Sequence, residues 1–307
     1  MIWLIGSKGM LGSEVARQLT LNKIPWIGTN SEVDITDFQQ IEAFEKNIET
    51  SSYSISALSH DERKIKWIIN CAAYTDVDTA EENSELAEKI NSTGAMNVAR
   101  LCRNIGAKLI HISTDYVFDG KLSSYDENEK ANPLNVYGKT KFDGETAVEK
   151  QMNTYYIIRT SWLYGKEKSF VQKILKKLNE TSEFSVVNDQ KGCPTSAVNL
   201  ASVIIRFIEK NENATSLLGK NSPPNYGLYN YCDSGVATWY DFACEIQKLA
   251  KKSALVKNEC VISPCSSDNY KTKALRPENS VLQTEKIKKA LKIKIPSWKV
   301  SLEKILK

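Results

Sequence analysis

The feature that most constrains this 307-residue chain sits at its start. Met1 to Ile5 is a short apolar run that meets Gly6-Ser7-Lys8-Gly9-Met10-Leu11-Gly12, and residues 13–21 then carry helical apolar spacing at Val15, Ala16 and Leu19. The order is strand, glycine turn, helix. Glycines at Gly6, Gly9 and Gly12 permit the tight turn and let backbone amides approach a pyrophosphate at a helix N-terminus. A glycine triplet alone is weak, but its placement between a strand and an amphipathic helix makes it a candidate dinucleotide-binding turn.

The pattern that follows agrees with such a turn. A second strand over 25–28 precedes Asp34-Ile35-Thr36-Asp37, where Thr36 or Asp37 can cap a helix running through Ile41, Phe44 and Ile48. Residues 49–64 are polar and without period and read as a surface insertion. A buried strand at 66–70, a helix over 84–102 with Leu86, Ile90, Val98 and Leu101 among its apolar positions, and a strand at 109–113 come next. A helix over 137–148 and a strand over 155–160 follow. Strands alternating with helices predict an α/β fold, a doubly wound, Rossmann-like parallel sheet with ligands at the carboxyl ends of its strands.

Beyond residue 165 the pattern loosens. A helix at 170–178, a strand at 184–187 and a helix at 196–209 lead into a Gly/Pro/Asn-rich connection at 219–227, then a helix at 239–251 and an amphipathic stretch around Ile287, Leu291 and Ile295. The expected organisation is a dinucleotide-binding domain over 1–165, with 195–232 returning to it. A smaller, interleaved C-terminal substrate domain takes 166–194 and 233–307.

Composition narrows the chemistry. Only His60 and His111 are available, so His-based triads and His-rich metal sites are poorly supplied, and no metal is expected. His111 lies inside a strand and reads as a packed side chain. The seven cysteines are scattered without a C-x-x-C and read as reduced thiols. No window approaches the roughly 18 apolar residues of a spanning helix, and Met1 to Gly6 lacks the charged start of a signal peptide. No membrane association and a cytoplasmic address are the expectation. Residues 241–307 hold 14 Lys and 1 Arg against 5 Glu and 2 Asp. This excess reads as a solvated helix surface, able to attract a phosphorylated ligand. It lacks the aromatic interleaving of a nucleic-acid groove, so no nucleic acid is expected as a partner.

Three residues carry the candidate chemistry. Tyr137 and Lys141 stand four apart on one helix, so both project from one face. A nearby ammonium favours the phenolate of Tyr137, which makes it a better proton donor to a developing alkoxide near neutral pH. Y-x-x-x-K alone is most often a surface pair; it gains weight with a glycine turn upstream and a hydroxyl at the end of an intervening strand. Ser113-Thr114-Asp115 supplies that hydroxyl, and Thr114 can hydrogen-bond a substrate carbonyl.

The runs 70–78 (NCAAYTDVD), 113–120 (STDYVFDG), 137–141 (YGKTK) and 159–165 (RTSWLYG) resemble the extended short-chain dehydrogenase/reductases, and within them the dTDP-4-dehydrorhamnose reductases. The likeness continues through 189–195 (DQKGCPT), 238–243 (TWYDFA) and 276–280 (RPENS), nearly the whole chain. The 49–64 insertion and the Lys-rich tail depart from the usual pattern without touching a motif.

The resemblance implies NAD(P)H-dependent reduction of dTDP-4-dehydro-L-rhamnose to dTDP-L-rhamnose for cell-surface polysaccharide. It makes Tyr137 the proton donor, gives Lys141 the nicotinamide ribose, and has Thr114 orient the keto oxygen. Asp115 and Trp162 match positions that contact the sugar nucleotide. Gly9, Met10, Leu11, Ala73, Tyr74 and Thr75 match cofactor-contacting positions, with Asp34 and Ile35 near the adenine. Arg276 is the candidate for the nucleotide diphosphate, and a homodimer is a family expectation.

The second strand ends in Gly28-Thr29-Asn30-Ser31, with neither an acid for a free ribose 2′-hydroxyl nor an arginine for a 2′-phosphate. Lys8 can serve the phosphate, which favours NADPH, with NADH use also open. The same motifs suit a reductase of another nucleotide-linked 4-keto sugar, or a non-catalytic NADP-binding regulatory subunit resembling the methionine adenosyltransferase partner. The intact Thr114, Tyr137 and Lys141 argue against the latter. A dehydratase would call for an acid/base pair beside Thr114, but Tyr116, not Glu, follows Asp115.

Overall fold

A strand with apolar residues pointing both ways has to be covered on both faces. The computed structural model, which describes residues 1–50, 60–166, 169–216 and 225–307, solves this with helices on either side of one sheet. The first half of the chain forms β1 (Ile2–Ile5), α1 (Met10–Leu21), β2 (Trp26–Thr29), α2 (Phe38–Thr50), α3 (His60–Arg63), β3 (Trp67–Asn70), α4 (Val77–Glu82), α5 (Ser84–Glu88), α6 (Ala95–Ile105), β4 (Lys108–Thr114), α7 (Val136–Gln151) and β5 (Tyr155–Thr160). There follow β6 (Leu163–Tyr164), α8 (Phe170–Glu180), β7 (Glu183–Val187), β8 (Lys191–Gly192), β9 (Thr195–Ser196), α9 (Ala197–Ser216), β10 (Gly227–Asn230), β11 (Ala237–Thr238), α10 (Trp239–Lys252), β12 (Val261–Cys265), α11 (Glu285–Leu291) and α12 (Trp298–Ile305).

The main sheet has six strands in the order β10-β5-β4-β3-β1-β2, and every neighbouring pair is parallel. The chain leaves β1 for β2 on one side and then crosses back to β3 on the other, so the strand order reverses at β1. A crevice opens there beyond the strand ends, the position where such sheets bind ligands. Side chains alternate as a period of two requires. Ile2, Leu4, Trp67, Ile69, Ile110, Tyr156 and Ile158 face the core formed with α1, α9 and α11. Trp3, Ile5, Ile68, Leu109 and Ile157 face the core with α2, α6 and α7.

β4 pairs with β3 up to His111 opposite Asn70 and with β5 up to Thr114 opposite Thr160. Ile112, Ser113 and Thr114 therefore run past the end of β3, over the crevice. His111 is buried, with Nδ1 3.3 Å from Asn70 Nδ2, and desolvation keeps it neutral, well below the usual imidazole range.

A further core lies apart from the main sheet. Val171, Ile174 and Leu178 of α8 meet Phe242, Ile246 and Leu249 of α10 and Trp298 and Leu302 of α12. Each such side chain, fully buried, contributes roughly 1.5–3 kcal/mol. α10 begins at a reciprocal cap: Asp241 N–H donates to Thr238 Oγ1 at 3.0 Å, and Thr238 N–H donates to Asp241 Oδ2 at 2.9 Å. Loss of a cap of this kind costs about 1 kcal/mol.

Several elements differ from the sequence reading. The 84–102 helix is not uniform: α5 and α6 are joined by a widened π turn, Lys89–Gly94, of the kind that inserts a residue to re-aim a side chain. Here Asn91 is turned onto the loop after β3, its Oδ1 accepting from Tyr74 N–H at 2.9 Å and its Nδ2 donating to Thr140 Oγ1 at 3.0 Å. β10 had no signal in a segment rich in turn residues, and it joins the sheet edge because Leu228 and Tyr229 pair with β5. α11, grouped with the second lobe on sequence, packs Ile287 and Leu291 into the core beneath the main sheet. Asp37 is the residue that caps α2, its Oδ1 accepting from Gln39 N–H at 2.9 Å. Most of the expected 49–64 insertion, residues 51–59, and residues 219–224 of the expected connection lie outside the described residues. Among the described residues no helix is long and apolar enough to cross a membrane.

Candidate active site

The glycine turn is built by close approach. Gly6 has a φ of 79°, in the left-handed region that glycine enters without a Cβ penalty. A Cβ at Gly12 would stand 2.0 Å from the Gly6 carbonyl oxygen, so no side chain fits there. The turn delivers the chain into α1, which starts at Gly9 with no side-chain cap. Its first-turn amides are left for an anion at the positive end of the helix dipole. The Lys8 N–H donates to Asn30 Oδ1 at 2.8 Å and Asn30 Nδ2 donates to Ser7 Oγ at 3.1 Å, fastening the turn to the end of β2.

A cavity of about 740 Å³ runs from this turn across the strand ends. Gly6, Gly9, Met10, Leu11 and Gly12 line one end, with Asp34 and Ile35 beside them. Ala73 and Thr75 line its flank, and Thr114, Asp115, Tyr137, Lys141 and Trp162 the other end. Three residues named from sequence do not line it, and one of them, Arg276, lines a second cavity. Lys8 is exposed, and Tyr74 turns its hydroxyl to Thr79 Oγ1 at 2.9 Å. Leu86 of α5 and Lys89 and Ile90 of the π turn do line it, although the helical periodicity reads Leu86 and Ile90 only as apolar packing positions.

Asn135 caps α7, its Oδ1 accepting from Gly138 N–H at 2.8 Å, and this fixes the helix start at which Tyr137 stands. Lys141, one turn on, is 2% exposed, and its Nζ donates to the Ile112 carbonyl at 2.6 Å. Burial lowers its pKa to about 8, against a compensating rise from the Glu145 charge. The expectation that Lys141 favours the phenolate does not describe Tyr137 here. Desolvation pushes the phenol up to about 12, opposed by a hydrogen bond with Thr114, with the Asp115 charge adding to the rise. Burial is the largest cause of this shift and the Lys141 charge is not among its causes, so Tyr137 stays protonated.

Thr114 Oγ1 donates to Asp115 Oδ1 at 3.1 Å, and Ser161 Oγ donates to Asp115 Oδ2 at 2.9 Å. Burial still raises the Asp115 carboxyl to about 6, against the hydrogen bonds from Ser280, Ser161 and Thr114. Next to Ser161, Trp162 takes a left-handed φ of 43°, which costs a residue with a Cβ roughly 1–2 kcal/mol. Its indole stacks on Trp239, centroids 3.5 Å apart.

Trp239 lines a second cavity of about 380 Å³, with Lys173, Lys177, Asp78 and Arg276. Arg276 forms a two-point ion pair with Asp78, Nη2 to Oδ2 at 2.7 Å and Nη1 to Oδ1 at 3.1 Å. The stacked indoles thus stand between the two cavities.

Behind the site lies a buried ion pair that the sequence reading missed. Arg159 Nη2 donates to Glu145 Oε2 at 2.6 Å and Arg159 Nε to Glu145 Oε1 at 2.9 Å, with both side chains under 5% exposed. Ser113 Oγ also donates to Glu145 Oε1 at 2.5 Å. The available signal was spacing: Glu145 follows Lys141 by one helical turn and shares its face.

The model of the family described as RmlD substrate binding domain matches residues 1–307. The chain belongs to that family. It is 34% identical over 308 residues to dTDP-4-dehydrorhamnose reductase of Escherichia coli (strain K12), covering 99% of this chain and 96% of that one. Among solved structures it is similar to a dTDP-4-dehydrorhamnose reductase from Clostridium acetobutylicum ATCC 824, with a TM-score of 0.85, 34% identity and 99% and 98% of the two chains covered. It is equally similar to the Bacillus anthracis str. Ames dTDP-4-dehydrorhamnose reductase in complex with NADP, with a TM-score of 0.85, 34% identity and 99% and 97% covered. The family match and the fold similarity thus both extend along the whole chain.

Proposed function

We propose that the chain reduces dTDP-4-dehydro-L-rhamnose to dTDP-L-rhamnose, a precursor of cell-surface polysaccharide, with NADPH as reductant. One observation carries this reading: Thr114, Tyr137 and Lys141 line the same cavity as the glycine turn. The E. coli relative bears the name of that reductase, and the B. anthracis structure holds NADP.

The residues present fit a dinucleotide. The uncapped start of α1 and the Gly12 cradle, which a Cβ would fill, suit a pyrophosphate. Asp34 and Ile35 would flank the adenine, Ala73 and Thr75 the middle of the cofactor, and Lys141 the nicotinamide ribose. The reduced nicotinamide, when bound, supplies the hydride.

The chain's own groups manage the proton and the charge. Thr114 turns its hydroxyl from Asp115 to the keto oxygen and orients it. Tyr137, held protonated by burial, donates its proton to that oxygen as it becomes an alkoxide, a stronger base than a phenolate. Lys141, charged below about pH 8, compensates the phenolate left behind. Asp115 and Trp162 would hold the sugar. The second cavity, with Lys173, Lys177 and Arg276, would take the nucleotide diphosphate, Arg276 exchanging Asp78 for a phosphate.

A cytoplasmic address agrees with seven cysteines that are all free. A homodimer without nucleic-acid partners belongs to the same proposal, on resemblance. The test is NADPH oxidation with dTDP-4-dehydro-L-rhamnose beside a panel of other nucleotide-linked 4-keto sugars, with product analysis. The expected result is preferential turnover of the first to dTDP-L-rhamnose. A chain that binds NADPH and reduces none of them is a regulatory subunit and contradicts the proposal.

A further inference from the structure

Two stretches that stand out in the sequence, 189–195 and 238–243, supply none of the groups given a role in the proposed reduction. The structure brings both to one side chain. Lys191 and Gly192 pair antiparallel with Thr238 and Ala237, so Trp239 follows at once, and its indole lies on that of Trp162 with the planes 6° from parallel. A Cβ at Gly192 would stand 2.4 Å from Cε2 and 2.5 Å from Nε1 of Trp162. The indole therefore has contact with Gly192 only because that residue is a glycine.

The backbone of Trp162 is pinned as well. Ser161 Oγ accepts from Cys193 N–H at 3.4 Å, and the Trp162 carbonyl accepts from Thr195 N–H at 3.1 Å. A left-handed residue with a Cβ persists only where its surroundings over-determine it, and here most of that surround comes from the two stretches. Trp162 borders the cavity of Thr114 and Tyr137, while Trp239 borders the other. A hexose joining ligands in both would cross at this stack, against the Trp162 side chain that lines the first cavity.

We propose that Gly192 and Trp239 are positioning residues: they hold the Trp162 indole as the wall that sets the keto sugar against Tyr137. This deepens the reductase reading and rests on it. Gly192 lines neither cavity, so its effect on ligands passes through Trp162.

The test measures, for wild type and Gly192→Ala, kcat with dTDP-4-dehydro-L-rhamnose, the NADPH dissociation constant by fluorescence, and inhibition by dTDP alone. A misplacement of about 1 Å costs on the order of a hundredfold in rate. That loss is expected in kcat, with both binding constants held within about twofold. Trp239→Phe, which keeps an aromatic face, stays within about tenfold of wild type, and Trp239→Leu loses as much as Gly192→Ala. Combined with Trp162→Phe, the Gly192→Ala loss is smaller than additive, because both act on one ring. Wild-type kcat in Gly192→Ala, or additive losses, overturns the clamp and leaves the reductase reading standing. If Gly192→Ala does not fold, equal kcat in Trp239→Phe and Trp239→Leu overturns it instead. A wild-type chain that turns over no keto sugar overturns both.

Discussion

Lys141 donates to the carbonyl of Ile112 at 2.6 Å, two residues before Thr114, and so fastens the helix that carries Tyr137 to the strand that carries the opposing hydroxyl. The bond fixes the geometry of the site, while burial lowers the pKa of its lysine. A fully buried ammonium with one carbonyl partner titrates near physiological pH, where a solvated lysine would not.

The first expectation is a pH dependence. Lys141 has its pKa lowered to about 8, so it is charged below that pH and neutral above it. kcat is expected to be level near neutrality and to fall as pH rises through about 8. Because the Glu145 charge raises the Lys141 pKa, Glu145→Gln moves that limb to lower pH. A pH–rate profile of the two proteins checks this, and a limb that stays in place removes Glu145 from the control of Lys141.

Asp115 gives an expectation of stability. Its carboxyl is raised from 3.8 to about 6, so between these values the folded state binds more protons than the unfolded one and stability falls as pH rises. The cost is complete above pH 6 and amounts to about 3 kcal/mol at most. Asp115→Asn is therefore more stable than wild type at pH 7.5, while losing turnover, and the gain shrinks towards pH 4. Urea unfolding at the two pH values measures it; a variant destabilised at both would refute the assignment.

Cofactor preference depends on exposed charge and should be modest. Lys8 is exposed, and a solvated lysine–phosphate pair contributes about 0.2–1 kcal/mol. Lys8→Ala is expected to weaken NADPH binding by no more than about fivefold and to leave NADH binding unchanged. Fluorescence titration with each cofactor decides it, and equal weakening for both would remove Lys8 from the 2′-phosphate.

Much of this was legible because it is local. A strand, glycines at fixed offsets and an amphipathic helix determine the turn from neighbouring residues, and the alternation of strands and helices determines the parallel sheet. Tyr137 and Lys141 were readable as one helical turn, and Thr114 as a strand end. What escaped reading depends on packing between distant segments. The π turn that aims Asn91, the Glu145–Arg159 pair and the Gly192–Trp162 contact each join residues well apart in sequence. The rise in the Tyr137 pKa also depends on packing, since spacing gives the distance to Lys141 but not the burial of the phenol.

The measurement closest to the central claim is the single-turnover rate of Tyr137→Phe with NADPH and dTDP-4-dehydro-L-rhamnose, beside its NADPH affinity. Removing a positioned proton donor costs about 10²–10⁴-fold, so the predicted result is a rate at least a hundredfold below wild type with NADPH bound as tightly as before. A variant that reduces the sugar at the wild-type rate would contradict the account.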